Sequence, residues 1–173
     1  MITEKQAMEF AEYAHSSINQ LRKYTNEPYI VHPRDVVSIL KTVPYSFNMV
    51  AAAWLHDTIE DVPWVTRELL EIVFGHDIAY LVYQVTDVST HADGNRAVRK
   101  AMDKEKLSKV TPEGQTIKLA DLISNTSSIV QYDPGFAVKY MKEKQELLFV
   151  LTKGDKTLHD RATALVNDYY RNR

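Results

Sequence analysis

Apolar residues recur at intervals of three and four through nearly the whole chain, and no stretch shows the sustained alternation of a half-buried strand. That pattern leaves an all-α domain of about eight or nine helices as the expected fold. Five glycines in 173 residues, with no internal repeat and no low-complexity segment, suit the same reading. Such a length fits one domain, expected to run across residues 1–173.

Helix starts are marked by local chemistry. Thr3-Glu-Lys-Gln6 fits a capping box, and the helix behind it carries the stripe Ala7, Phe10, Ala11, Ala14, Ile18 and Leu21. His15 lies next to that stripe and reads as a partly buried structural histidine. Pro28 and Pro33 make the next stretch irregular. His32, just before Pro33, is expected in extended geometry, with a helix from about Arg34 to Thr42 behind it. Ser46, Thr66 and Thr111 stand where further helices can start, and Gly75 and Gly154 where helices can stop. Two final helices are expected at about 136–153 and 156–171.

The chemically dense stretch is Ala51-Ala-Ala-Trp-Leu-His-Asp-Thr-Ile-Glu-Asp61, read as one helix up to Pro63. On a helical wheel His56, Asp57, Glu60 and Asp61 share a wedge roughly 140° wide, opposite Ala51, Ala52, Leu55, Ile59 and Val62. Carboxylates at this spacing repel one another, and a bound cation is the natural offset. A second polar pair, Asp121 and Asn125, shares a face inside the apolar run Ile117-Lys-Leu-Ala-Asp-Leu-Ile-Ser-Asn125. An aspartate there is costly unless paired or metal-bound. Between these two stretches lies a basic segment with Arg96, Arg99, Lys100, Lys104, Lys106 and Lys109. It reads equally as a solvated helix or as a flap bringing cations to an anionic substrate.

Composition closes off other classes. With 21 basic and 23 acidic residues, the net charge of −2 gives no bulk attraction to nucleic acid or an anionic membrane. No cysteine is present, so any metal must be held by His, Asp and Glu. No apolar run approaches the roughly 20 residues of a membrane span, and no signal-peptide layout opens the chain, which favours the cytoplasm.

Four pieces together resemble the HD-domain metal-dependent phosphohydrolases, and within them the hydrolase domain of RelA/SpoT-type alarmone enzymes. They are Arg22-Lys23 before Pro28-Tyr-Ile-Val-His-Pro33; Ala52-Ala-Trp-Leu-His-Asp-Thr-Ile-Glu-Asp61; Phe74-Gly75 with Leu81-Val-Tyr-Gln-Val-Thr-Asp87; and Lys118-Leu-Ala-Asp-Leu-Ile-Ser-Asn125. The resemblance implies a divalent metal, manganese by family practice, on His32, His56, Asp57 and Asp121. It implies that Glu60 and Asp61 orient or deprotonate the attacking water, leaving open which is the base. Arg22, Lys23, Asn125 and Tyr140 match positions near the nucleotide, and Arg99 and Lys100 are candidates to complete the charge match. The implied reaction is removal of pyrophosphate from the 3′ side of guanosine 3′,5′-bis(diphosphate), a small-molecule nucleotide partner. The chain's length leaves no room for the synthetase and regulatory domains of the long enzymes, so hydrolysis alone is expected. Two departures touch the substrate site: Tyr24-Thr-Asn-Glu27 where the family has a small residue and a glycine, and Leu122-Ile-Ser124 where long enzymes carry an arginine. The alternatives are therefore another nucleotide substrate (nucleotidase, deoxynucleotide or dinucleotide-phosphate hydrolase) or a non-catalytic nucleotide-sensing module.

Overall fold

The computed structural model describes residues 2–172, which form ten α-helices and one 3₁₀ turn. The only sheet-like pairing among the described residues is an isolated antiparallel bridge between Leu21 and Pro28. The all-α class is therefore as expected. The chain divides into two compact units that meet in sequence at Thr86 and Asp87.

The first unit contains α1 (Glu4–Ser17), α2 (Val31–Leu40), α3 (Phe47–Leu55), α4 (Thr58–Asp61), α5 (Arg67–Phe74) and α6 (His76–Val85). Helix α3 is its centre and packs against α1, α2 and α6. Every residue from Met49 to Leu55 is buried, so beyond its first two residues this helix has no solvent face. Ala51, Ala52 and Ala53 are fully covered, as are Ala7, Ala11 and Ala14 on α1, and these methyl-sized side chains let the helices approach closely. The caps are as the sequence indicates: Thr3 and Gln6 form the capping box, Ser46 accepts from the Met49 N–H, and Thr66 from that of Leu69.

Three local expectations change in this unit. Helix α1 stops at Ser17, because Asn19 takes a left-handed conformation (φ 53°) and closes a Schellman turn. In it the Gln20 N–H donates to the His15 carbonyl and the Asn19 N–H to that of Ser16. Ile18 and Leu21 thereby leave the stripe and stand 38% and 52% exposed. Helix α2 starts at Val31, so His32 lies in its first turn rather than on an extended junction. Pro33 is tolerated there because the first N–H groups of a helix lack intrahelical partners anyway. The expected helix through residues 51–61 breaks at His56–Asp57. Asp57 sits at φ −94°, ψ −6°, and side chains take over local carbonyls: His56 Nδ1 donates to Ala53 O at 2.8 Å and Thr58 Oγ1 to Leu55 O at 2.7 Å.

The second unit contains a 3₁₀ turn (His91–Asp93), α7 (Arg96–Lys109), α8 (Pro112–Tyr132), α9 (Pro134–Leu148) and α10 (Lys156–Arg171). Helices α8, α9 and α10 pack on one another. Helix α9 ends at Leu148, earlier than expected. The turn that follows is pinned by the buried Gln115, whose amide donates to Leu107 O and Val150 O and accepts from the Lys153 and Gly154 N–H groups. Gly154 is required by space: a Cβ there would lie 2.7 Å from Leu119 Cδ1 and 3.1 Å from the Gln115 backbone.

Candidate metal centre and its surroundings

In the first unit the break between α3 and α4 turns His56 and Asp57 toward the first turn of α2. His32, His56 and Asp57 each offer a ligand atom, and the three atoms lie within 4.8 Å of one another. His56 Nε2 is 3.1 Å and His32 Nε2 3.5 Å from the same oxygen, Asp57 Oδ2. Both imidazoles are buried, at 3% and 1% exposure. The donor set fits a divalent ion. A carbonyl only accepts, so Ala53 O fixes the proton of His56 on Nδ1 and leaves Nε2 with the lone pair a metal needs. Two imidazoles and a carboxylate suit a borderline divalent cation.

Three supporting side chains had no assigned function in the sequence. Tyr29 donates its hydroxyl to Asp57 Oδ2 at 2.6 Å. Gln20 donates from Nε2 to Asp61 Oδ2 at 2.8 Å, and its Oε1 accepts from His15 Nδ1 at 2.7 Å. The His15 and Tyr29 rings are in contact, their centroids 4.6 Å apart and their planes tilted by 42°. No periodic signal in one sequence marks a bond across 41 residues such as Gln20–Asp61. Burial, followed by the charge of Asp57, raises the Asp61 pKa above the usual carboxylate value. Burial lowers that of His15, keeping it neutral. Glu60 is exposed while Asp61 is half-buried, so the adjacent pair occupies unlike settings. The Arg22 guanidinium lies 5.8 Å over the Tyr29 ring, whereas the exposed Lys23 folds onto Tyr24, its Nζ 3.2 Å from the hydroxyl.

The second unit has its own concavity, a cavity of about 420 Å³ between α7, α8 and α9. Asp121, Asn125, Tyr140 and Lys100 all line it; Arg99 does not. Seven cationic side chains (Arg96, Lys100, Lys104, Lys118, Lys139, Lys142 and Lys144) face five carboxylates there (Asp87, Asp103, Asp121, Glu143 and Glu146). Lys118 Nζ is 2.9 Å from Asp121 Oδ2, and Asn125 Nδ2 donates to Asp121 Oδ1 at 2.6 Å. Lys100 pairs with Asp87 at 2.7 Å, and Arg96 grips Glu143 through two nitrogens. Lys144 is buried, donating to Thr126 Oγ1 and to Leu122 O. Burial brings its pKa down to about 7, against an opposing pull from Asp121. Burial, then the charge of Asp121, raises the Tyr140 pKa.

Comparison with known proteins adds to this geometry. A family model described as "HD domain" matches residues 7–147. The guanosine-3′,5′-bis(diphosphate) 3′-pyrophosphohydrolase MESH1 of Xenopus tropicalis is 30% identical over 152 residues, covering 85% of this chain and 83% of the relative. A probable GTP pyrophosphokinase of Mycobacterium leprae is 31% identical over 145 residues, 83% of this chain and 18% of the relative. This chain thus spans about a fifth of the length of the first long relatives it matches. Among solved structures, a metazoan ortholog of SpoT, described as hydrolysing ppGpp, superposes with a TM-score of 0.86 at 24% identity, over 98% of this chain and 96% of its own. That last likeness is one of fold.

Proposed function

We propose a function from one premise: the chain belongs to the HD-domain family. The proposal is a metal-dependent phosphohydrolase acting on a nucleotide, with guanosine 3′,5′-bis(diphosphate) as substrate and pyrophosphate leaving from the 3′ side. One observation carries it: His32, His56 and Asp57 gather their ligand atoms within 4.8 Å. Manganese is the proposed ion, and Asp121 the fourth ligand on motif order alone. One HD domain across the chain and a cytoplasmic location remain the accompanying proposals; no described helix is long and apolar enough to cross a membrane.

A divalent ion at this centre supplies Lewis acidity, acidifying water and drawing charge from a phosphate oxygen. The chain's own residues do the rest. Tyr29 holds Asp57 in place through its hydroxyl. Asp61, or its neighbour Glu60, takes a proton from the attacking water and aims it at phosphorus. Asp61 is half-buried and held by the Gln20 amide, whereas Glu60 is exposed, and this favours Asp61 as the base. Arg22, Lys23 and Lys100 neutralise the phosphates, Asn125 and Tyr140 contact the nucleotide, and Arg99 adds charge from α7. The resemblance of the MESH1 relative, most of whose length this chain covers, supports the alarmone over other nucleotides.

The test is a panel of nucleotides with manganese, assayed separately for pyrophosphate and phosphate. Pyrophosphate released from guanosine tetraphosphate, ahead of ordinary triphosphates, is expected. Preference for a nucleoside triphosphate transfers the reading to another nucleotide hydrolase, and binding without turnover transfers it to a sensor.

A further inference from the structure

Buried polar groups destabilise a core unless they are hydrogen-bonded. His15 is 1% exposed, and its Nε2 has no hydrogen-bond partner among the described residues. An apolar side chain would fill this position on α1 without stranding a ring nitrogen. What the imidazole provides is the other nitrogen, Nδ1, 2.7 Å from Gln20 Oε1. Gln20 is held at that spot through both backbone groups: in the Schellman turn its N–H donates to His15 O, and its carbonyl accepts from the Tyr29 N–H.

We propose that His15 and Gln20 are positioning residues for Asp61. A carboxamide can sit either way round, and the wrong way would set its oxygen against the carboxylate. In neutral His15 with the proton on Nδ1, that nitrogen can only donate. It claims the Gln20 oxygen and turns the Gln20 N–H groups toward Asp61, where one meets Oδ2 at 2.8 Å. Oδ2 is then held as an acceptor, and the proton leaving water goes to Oδ1. The same imidazole packs at a tilt against the ring of Tyr29, whose hydroxyl holds Asp57, so one buried ring steadies both carboxylates of the α3–α4 break. Glu60 stands exposed on the same short helix.

The inference rests on the proposed role of Asp61, and the experiment keeps the two apart. Gln20→Met preserves length and removes both hydrogen bonds. It should lower kcat about 10- to 100-fold while KM and manganese affinity stay within about twofold. In an Asp61→Asn background the same substitution should cost less than about threefold, because both changes act by one route. His15→Asn, whose amide N–H can stand in for Nδ1–H, should regain most of the activity lost in His15→Leu at matched thermal stability. Unchanged kcat in Gln20→Met, full additivity with Asp61→Asn, or equal loss in His15→Asn and His15→Leu each overturns the proposal. If the histidine variants do not fold, the Gln20 and Asp61 cycle decides alone. If the wild-type protein hydrolyses no nucleotide, the proposed function has failed, and proton–nitrogen correlation NMR still judges the bonds. A slowly exchanging His15 Nδ1–H that is lost in Gln20→Met supports them, and its absence in the wild type overturns them.

Discussion

Asp57 and Asp121 are both carboxylates set in helical walls, one in each unit, and their neighbours differ in kind. Around Asp57 stand two imidazole nitrogens at 3.1 and 3.5 Å and a phenol hydroxyl at 2.6 Å. The carboxylate and the His56 Nε2 lone pair meet there, which a divalent cation stabilises. Around Asp121 stand an ammonium at 2.9 Å and a carboxamide N–H at 2.6 Å, on a cavity wall with more cations than carboxylates. That setting already supplies a positive charge and favours an anion beside it. The two aspartates come from motifs that sequence treats alike as ligand positions. Their settings differ: the ligand atoms gathered at Asp57 fit a metal, whereas Asp121 Oδ2 already faces the Lys118 ammonium.

The largest expected effect tests the first setting. His56→Ala should lose turnover and weaken manganese binding by more than about 100-fold, beyond the 10- to 100-fold typical of losing an outer supporting residue. Isothermal calorimetry measures it, and retained affinity would remove His56 from the centre. Next, Asp61→Asn should keep the metal and lower kcat by roughly 10²- to 10⁴-fold, with Glu60→Gln costing less. Equal losses in steady-state kinetics would erase the distinction between the half-buried and the exposed carboxylate. Asp121→Ala should weaken manganese binding by less than His56→Ala does, since its oxygen already has a cationic partner. A loss as large as that of His56→Ala would break the contrast between the two aspartates. Lys118→Met should raise the KM for guanosine tetraphosphate by about tenfold, near 1.4 kcal/mol, without lowering metal affinity. An unchanged KM would take Lys118 out of substrate binding.

The smallest effect concerns stability and pH. Burial lowers the Lys144 pKa from 10.5 to about 7 in the folded chain. Between those two values the unfolded chain binds the extra proton, so stability rises with pH across that window. The contribution is complete above 10.5 and is lost as pH falls toward 7. Lys144→Met should flatten this dependence and raise the melting temperature at neutral pH by a few degrees, on the order of 1 kcal/mol. Urea titrations at pH 7 and pH 9 that show the same slope for both proteins would assign the pH dependence to other groups.

Much of the helical framework is legible in sequence because its signals are local. Thr3, Ser46, Thr66 and Thr111 cap helices through bonds to residues three positions on, and each hydrogen bond is formed as its spacing suggests. His32, His56 and Asp57 were legible as a ligand set only through the family motif, for no period links residues on α2 to those after α3. Other features are tertiary. Ile18 and Leu21 continue an apolar period but lie beyond a left-handed turn at Asn19 and face solvent. Lys144 sits in the charged run Lys142-Glu-Lys-Gln145, yet its stem is buried, with Leu122 O and Thr126 on α8 receiving its ammonium. His15 was legible as a buried position but not as the far end of a hydrogen-bonded chain to Asp61. Sequence by itself determined the class, the caps and the types of atom available for chemistry. Tertiary structure decided which atoms meet, because bonds between residues far apart along the chain depend on how helices pack, and packing leaves no fixed spacing in the sequence.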